Sequence, residues 1–279
     1  MGHHATTQYL LHFNFQPYQN NNQKAIQTLT NTFSVANLMV TEKLYMPSID
    51  SCYETKFNAE VIAINGREIV LNRSLFYPIG GGQNWDTGKI IAETGTYVVE
   101  ETRGRSEVAH IIEGDHGLSV GDEITGEIDW PRRYSHMKMH TAQHVMSGIV
   151  YELFHGARTV GNQIHEDRSR IDFNPIKFDS EMIELTFSKA QEMIDSDLLV
   201  TCQTMQREQI NEIMPPERTN MDLLPKSVKE LRVIIIGDKM DLCPCAGTHV
   251  RQLSEIGEIE FIGKKSKGKG TQRVSYTLN

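Results

Sequence analysis

From residue 57 onward the chain alternates apolar and polar positions in short runs broken by glycine. Residues 57–71 read as two strands, FNAEVIAIN and REIVLN, around Asn65-Gly66, a dipeptide suited to the positive φ of a tight hairpin turn. Further strands are expected at residues 88–91, 96–101 and 123–130. Short strands, glycine turns and no long helix predict a small β-barrel ending near Pro131. The period then changes. In residues 137–154 the apolar residues Val145, Ile149 and Leu153 recur every fourth position, which predicts a helix. A strand over 168–173 follows. Asp179 is a suitable N-cap for a helix whose apolar stripe is Ile183, Phe187, Ala190 and Ile194. Residues 199–205 read as a strand, Pro215-Pro216 closes a short helix, and 232–236 is a buried strand leading to Cys243 and Cys245. Residues 258–262 and 271–278 make a hairpin with a lysine-rich tip. The fold class is α+β: a small N-terminal β-barrel, then an α+β domain.

The first 38 residues differ in character. Residues 18–32 are dense in Asn, Gln and Thr, a composition that buries little apolar surface and predicts poor order. The expected organisation is therefore an extension over 1–38, a barrel over 39–130 and the α+β domain over 131–279. No apolar run approaches the length that spans a bilayer, so no membrane association is expected. No basic segment precedes an apolar core and a small-residue cleavage site at the N-terminus. The four cysteines, Cys52, Cys202, Cys243 and Cys245, are too few for a disulfide framework in a chain of 279 residues. Both observations lead to an expected cytoplasmic location.

Two spaced pairs of residues carry the candidate chemistry. His140 and His144 lie four apart within the expected helix, which puts both imidazoles on one face. Cys245 and His249 repeat that separation around a glycine. Three imidazoles and a thiolate form a tetrahedral ligand set that Zn²⁺ prefers, so one zinc per chain is expected. Four protein ligands usually mark a closed structural site, whereas catalytic zinc keeps a position open. His136, one turn before His140, is read as a surface or supporting residue, and Cys243 as structural.

Charge alters the picture only locally. The net charge of −8 argues against a polyanionic partner, yet Lys264, Lys265, Lys267, Lys269 and Arg273 concentrate positive charge near the C-terminus. Such a cluster is either a solvated hairpin tip or a phosphate-binding surface. Arg168, Arg170 and Asp172 are read as a surface or interface charge cluster.

Three segments, LFYPIGGGQNWDTG at 75–88, HTAQH at 140–144 and CAGTHV at 245–250, together resemble the free-standing alanyl-tRNA editing proteins, relatives of the editing domain of alanyl-tRNA synthetase. DRSRIDF at 167–173 and RVIIIGD at 232–238 are lesser echoes. The similarity runs from about Met39 to the C-terminus and fits the longer subtype with an N-terminal barrel. It implies zinc on His140, His144, Cys245 and His249, and hydrolysis of serine, or glycine, wrongly esterified to the alanine tRNA. Within that resemblance Thr159 and Gln163 are the candidates for sensing the serine hydroxyl. Gly80, Gly81, Gly82 and Gln83 become candidates for docking the acceptor end, and the four lysines for gripping its backbone. The alternatives are an editing enzyme for another mischarged tRNA, such as serine on the threonine tRNA, or a zinc-stabilised RNA-binding module without activity. The GGGQ run also occurs in translation release factors, but its flanks do not match them. No ATP-binding motif is present, and no ATP is expected.

Overall fold

The computed structural model describes residues 40–221, 224–238 and 241–279. The expectation for residues 1–38 lies outside these. The chain divides into two units, residues 1–38 and 39–279.

Six strands close the barrel. They are β2 (Lys56–Asn65), β3 (Glu68–Leu71), β7 (Ala109–Ile112), β6 (Gly95–Arg103), β5 (Gly88–Ala92) and β8 (Glu123–Ile128), in that spatial order, with β8 returning to β2. Alternation sets which side faces in: Phe57, Ala59 and Val61 of β2 are buried while Asn58 and Glu60 are exposed. Phe57, Val61, Leu71, Phe76, Ile90 and Val99 are among the residues packing the interior. A two-residue parallel pair, β1 (Glu42–Lys43) with β4 (Arg73–Ser74), lies outside it.

The long helix α1 (Trp130–Leu153) leaves the barrel directly. The expected strand over 123–130 stops at Ile128, and the helix begins seven residues before the predicted 137. The cause is local. The Asp129 carboxylate accepts a hydrogen bond from the Arg132 backbone N–H at 3.3 Å, and Pro131 occupies the first turn, where its missing N–H costs nothing. Arg133, in that first turn, is fully buried. It pairs with buried Asp86 and donates to the carbonyls of Cys52 and Leu75 at 3.0 and 2.5 Å. This ion pair ties the glycine-rich segment to the helix.

Around α1 lie two sheets. One is four-stranded, ordered β14 (Ile259–Gly268), β15 (Thr271–Leu278), β10 (Ser169–Asn174), β9 (Arg158–Ile164). The other is three-stranded, β11 (Val200–Gln206), β12 (Glu230–Ile236), β13 (Asp241–Pro244). Helix α2 (Ser180–Asp195) packs on α1. It is capped as expected, with the Asp179 side chain accepting from Met182 N at 2.8 Å, and it buries Ile183, Ala190 and Ile194. Helix α3 (Arg207–Ile213) is the short helix before Pro215-Pro216. Strands β7 and β9 were absent from the sequence reading. In β9 the reason is a bulge: Gly161 pairs with Asp172 but Thr159 with Phe173, so Val160 is extra and the alternation of side chains breaks. The lysine-rich segment also differs from expectation. Lys264, Lys265 and Lys267 lie within β14 rather than in a loop, and only Lys269-Gly270 forms the turn. The architecture is α+β, with a closed barrel preceding a mixed domain. No helix among the described residues is long and apolar enough to cross a membrane.

Candidate metal centre

Helix α1 presents His140 and His144 one turn apart, and the chain leaving β13 brings Cys245 and His249 opposite them. Their ligand atoms all lie within 4.8 Å of one another. Cys245 Sγ is 3.5 Å from His140 Nε2 and 3.4 Å from His249 Nε2. Bonds of about 2.0–2.3 Å from a shared zinc would leave tetrahedral ligands at such separations.

The hydrogen bonds behind the ligands decide which ring nitrogen faces the centre. Gln83 Oε1 accepts from Thr248 N at 3.1 Å, and Gln83 Nε2 donates to Thr248 Oγ1 at 2.9 Å, so the amide orientation is fixed. His140 Nδ1, 2.7 Å from Gln83 Oε1, must therefore carry a proton. The Thr141 hydroxyl donates to Met137 O at 2.8 Å, leaving its oxygen to accept from His249 Nδ1 at 3.2 Å. His144 Nδ1 is 2.9 Å from the carboxylate of Asp241. With Nδ1 engaged in each ring, Nε2 is the nitrogen that faces the centre, the atom each neutral ring would offer a divalent cation. Burial alone would raise the Cys245 thiol, but His140 and His249 beside it bring it well below the ordinary thiol range. Burial, then repulsion from His140, holds His249 well below the usual imidazole value. Burial opposes charge on His144, but Asp241 and Cys245 outweigh it and raise that group to about 10. Loading a metal there displaces a proton. Glycine is required at 247, where an added Cβ would lie 2.1 Å from His140 Cε1. The donor set, three nitrogens and one sulfur, suits a metal of zinc's softness.

The ligands His140, His144 and Cys245 form one wall of a cavity of about 640 Å³. Gln143, Ser147 and Tyr151 extend that wall along α1. Thr159 faces it from β9. Its Oγ1 is 2.6 Å from Ser147 Oγ, which also accepts from Gln143 Nε2 at 2.7 Å. Gly80 and Gly81 also line the cavity. Gly82, with φ of 90°, packs so tightly on Asn162 that a Cβ would fall 1.6 Å from its Oδ1.

The site residues expected from sequence separate into three groups. The four candidate ligands come together, and Thr159, Gly80 and Gly81 line the cavity with three of them, His140, His144 and Cys245. Gln163 does not: it is exposed, and the β9 bulge turns Asn162 toward the cavity in its place. Gln83 is fully buried behind His140, so it presents no surface to a partner. Lys264, Lys265, Lys267 and Lys269 are exposed on the C-terminal hairpin, outside the cavity lining. Lys264 Nζ already donates to Phe178 O at 2.7 Å. His136 is fully buried, not a surface residue, and neither ring nitrogen has a partner among the described residues. Cys243 lies in the cavity wall. Asp172 forms a bidentate pair with Arg273 at 2.6 and 2.8 Å. Sequence reasoning missed Gln143, Ser147 and the supporting roles of Gln83, Thr141 and Asp241. Helical spacing from His140 could have found the first two. Nothing local marks Asp241.

Two family models match the chain. One describes class II (A) tRNA synthetases, over residues 11–132, and the other the second additional domain of threonyl- and alanyl-tRNA synthetases, over 231–275. The first match begins ahead of Met39, where the resemblance was expected to start. An alanyl-tRNA editing protein AlaX-M of Methanosarcina barkeri is 35% identical over 248 residues, covering 86% of this chain and 99% of its own length. This chain belongs to the alanyl-tRNA editing protein family. Its counterpart in Saccharolobus solfataricus is 35% identical over 243 residues, with 86% and 99% covered. An alanine–tRNA ligase of Sulfurisphaera tokodaii is 33% identical over 246 residues, which span 86% of this chain but 26% of the ligase.

Proposed function

We propose that this chain is a trans-editing hydrolase that removes serine, and in second place glycine, from mischarged tRNA(Ala). The observation that carries the reading is the shared cavity. Three residues of the four-residue His/Cys cluster, a glycine-rich loop and a paired hydroxyl system open on one space large enough for an aminoacylated ribose. The names of the relatives favour the alanine tRNA over the threonine tRNA, although the domain at 231–275 is common to both synthetase classes. The activity would be exerted in the cytoplasm, where tRNAs are charged.

The selectivity follows from buried polar groups. A synthetase pocket made for alanine rejects an added hydroxyl only about a hundredfold, so serine slips through. Here Thr159 and Ser147, with Gln143 behind them, offer hydroxyl partners within the cavity. Serine satisfies them, and alanine leaves them unpaired. The metal, zinc on this reading, is held by His140, His144, Cys245 and His249; when bound it supplies a positive centre for orienting the ester and its terminal adenosine. Gln83 and Asp241 hold His140 and His144 in register. Gly80 and Gly81 leave room for the tRNA end to approach, and the exposed lysines of β14 and its turn attract its backbone.

Deacylation of Ser-, Gly- and Ala-tRNA(Ala), with Ser-tRNA(Thr) in parallel, tests the reading. Serine should be released from tRNA(Ala) well ahead of alanine. Equal loss of serine and alanine overturns the selectivity, preference for Ser-tRNA(Thr) selects the other substrate, and no hydrolysis leaves a zinc-stabilised RNA-binding module.

A further inference from the structure

The cavity has a charge that the rest of the chain would not suggest. Among its described lining residues are the cations Lys43, Arg105, Arg158 and Arg218 and the carboxylate of Asp241, and Arg218 also pairs with Glu152 at 2.9 Å. Asp241 is already committed to His144 and to Arg218 at 3.6 Å. A protein of net charge −8 has therefore placed four cations around one opening. Two of them come from the barrel side. Lys43 is the second residue of β1, and Arg105 sits in the connection between β6 and β7. Backbone hydrogen bonds bring these segments together: Thr41 N donates to Ser106 O at 2.9 Å, and Val108 N to Thr41 Oγ1 at 3.0 Å. Neither Lys43 nor Arg105 has an ion-pair partner among the described residues. Both line the same cavity, so a bound anion would supply each with the partner it lacks among the described residues.

We propose that Lys43 and Arg105 form a phosphodiester clamp, gripping the single-stranded backbone just before the nucleotide whose ester enters the cavity. The inference rests on the hydrolase reading and deepens it: the barrel then supplies part of the substrate site itself. Lys43 is half-buried, where a cation is less screened by solvent, and Arg105 is exposed and can meet a phosphate as a two-pronged donor. The clamp is distinct from the β14 lysines, which lie outside the cavity lining. It binds backbone and so contributes affinity for the tRNA end without reading the amino acid.

The test compares the full-length protein with the Lys43→Gln/Arg105→Gln double variant, measuring binding of uncharged tRNA(Ala) over a salt series and steady-state deacylation of Ser-tRNA(Ala). Lys177→Gln/Lys189→Gln, the same loss of two charges at exposed positions outside the cavity lining, serves as the control. The double variant should raise KM roughly tenfold or more, with the loss falling on KM rather than kcat. Its salt slope should flatten by about 1.4, at about 0.7 per phosphate contact of a single strand. Metal content should match wild type, which separates a lost clamp from a disturbed fold. An active wild type with a double variant of equal affinity and slope overturns the clamp alone. A wild type that neither binds nor deacylates the tRNA overturns the clamp and the hydrolase reading together.

Discussion

The barrel and the α+β domain that follows it treat a buried histidine in opposite ways. In the barrel, His110 is fully buried and both ring nitrogens are spent within the protein: Nδ1 lies 3.0 Å from Ile69 O and Nε2 2.8 Å from Ser74 Oγ. In the second half, His140, His144 and His249 are equally buried, but each has its Nδ1 bound by a neighbour and its Nε2 turned toward a common centre. A fully partnered histidine is a structural polar group, neutral and closed. Half-partnered histidines converging with a cysteine form a donor set that could hold a cation. Counting histidines would not distinguish the two regions; following the second nitrogen of each ring does.

The largest effect should come from removing a ligand. Wild type should carry about one zinc per chain, and Cys245→Ala or His144→Ala should lose most of it together with nearly all deacylation, read by elemental analysis and rate. A His144→Ala protein with full metal content would erase the distinction drawn above.

The closed histidine should show itself in acid. Burial depresses His110 from 6.5 to about 4, its bond to Ile69 notwithstanding. The unfolded chain therefore takes up the proton first as pH falls. Stability from this group is intact above pH 6.5 and is lost progressively down to about pH 4. At about 1.4 kcal/mol per pH unit the loss approaches 3 kcal/mol. His110→Gln should be less stable at pH 7, and the gap from wild type should narrow by that amount between pH 6.5 and 4 in denaturant titrations. A gap independent of pH would mean that His110 titrates alike in both states.

Smaller changes are expected one step behind the ligands. Gln83→Leu and Asp241→Asn leave the Nε2 donors present but release their rings, and should weaken zinc affinity about 10- to 100-fold. Competition with a chelator measures this; wild-type affinity in both variants would show that packing alone fixes the rings. The smallest change is expected at Thr159. Thr159→Val keeps shape and removes a hydroxyl, which should reduce the preference for Ser-tRNA(Ala) over Ala-tRNA(Ala) by about tenfold, corresponding to about 1.4 kcal/mol for one hydrogen bond. An unchanged ratio would move hydroxyl recognition to Ser147 or Gln143.

Sequence alone marked five of the six barrel strands, the α2 cap at Asp179 and the four residues of the His/Cys cluster, because each is written in local spacing: two residues for a strand, four for a helix face or a candidate ligand pair. It also carried the family, through three ordered segments. Tertiary structure decided what spacing cannot encode. The bulge at Val160 put Asn162 rather than Gln163 beside the cavity, because one extra residue reverses every side chain beyond it. Gln83 read as a candidate for docking the acceptor end of tRNA, yet it is buried against a histidine 57 positions away. Asp241 carries no local mark, and only the fold brings it to His144 across 97 positions. Local periodicity fixes which residues share a face. Hydrogen bonds between distant segments fix which atom of each side chain is left free, and in this protein that remaining atom distinguishes a ligand from a core residue.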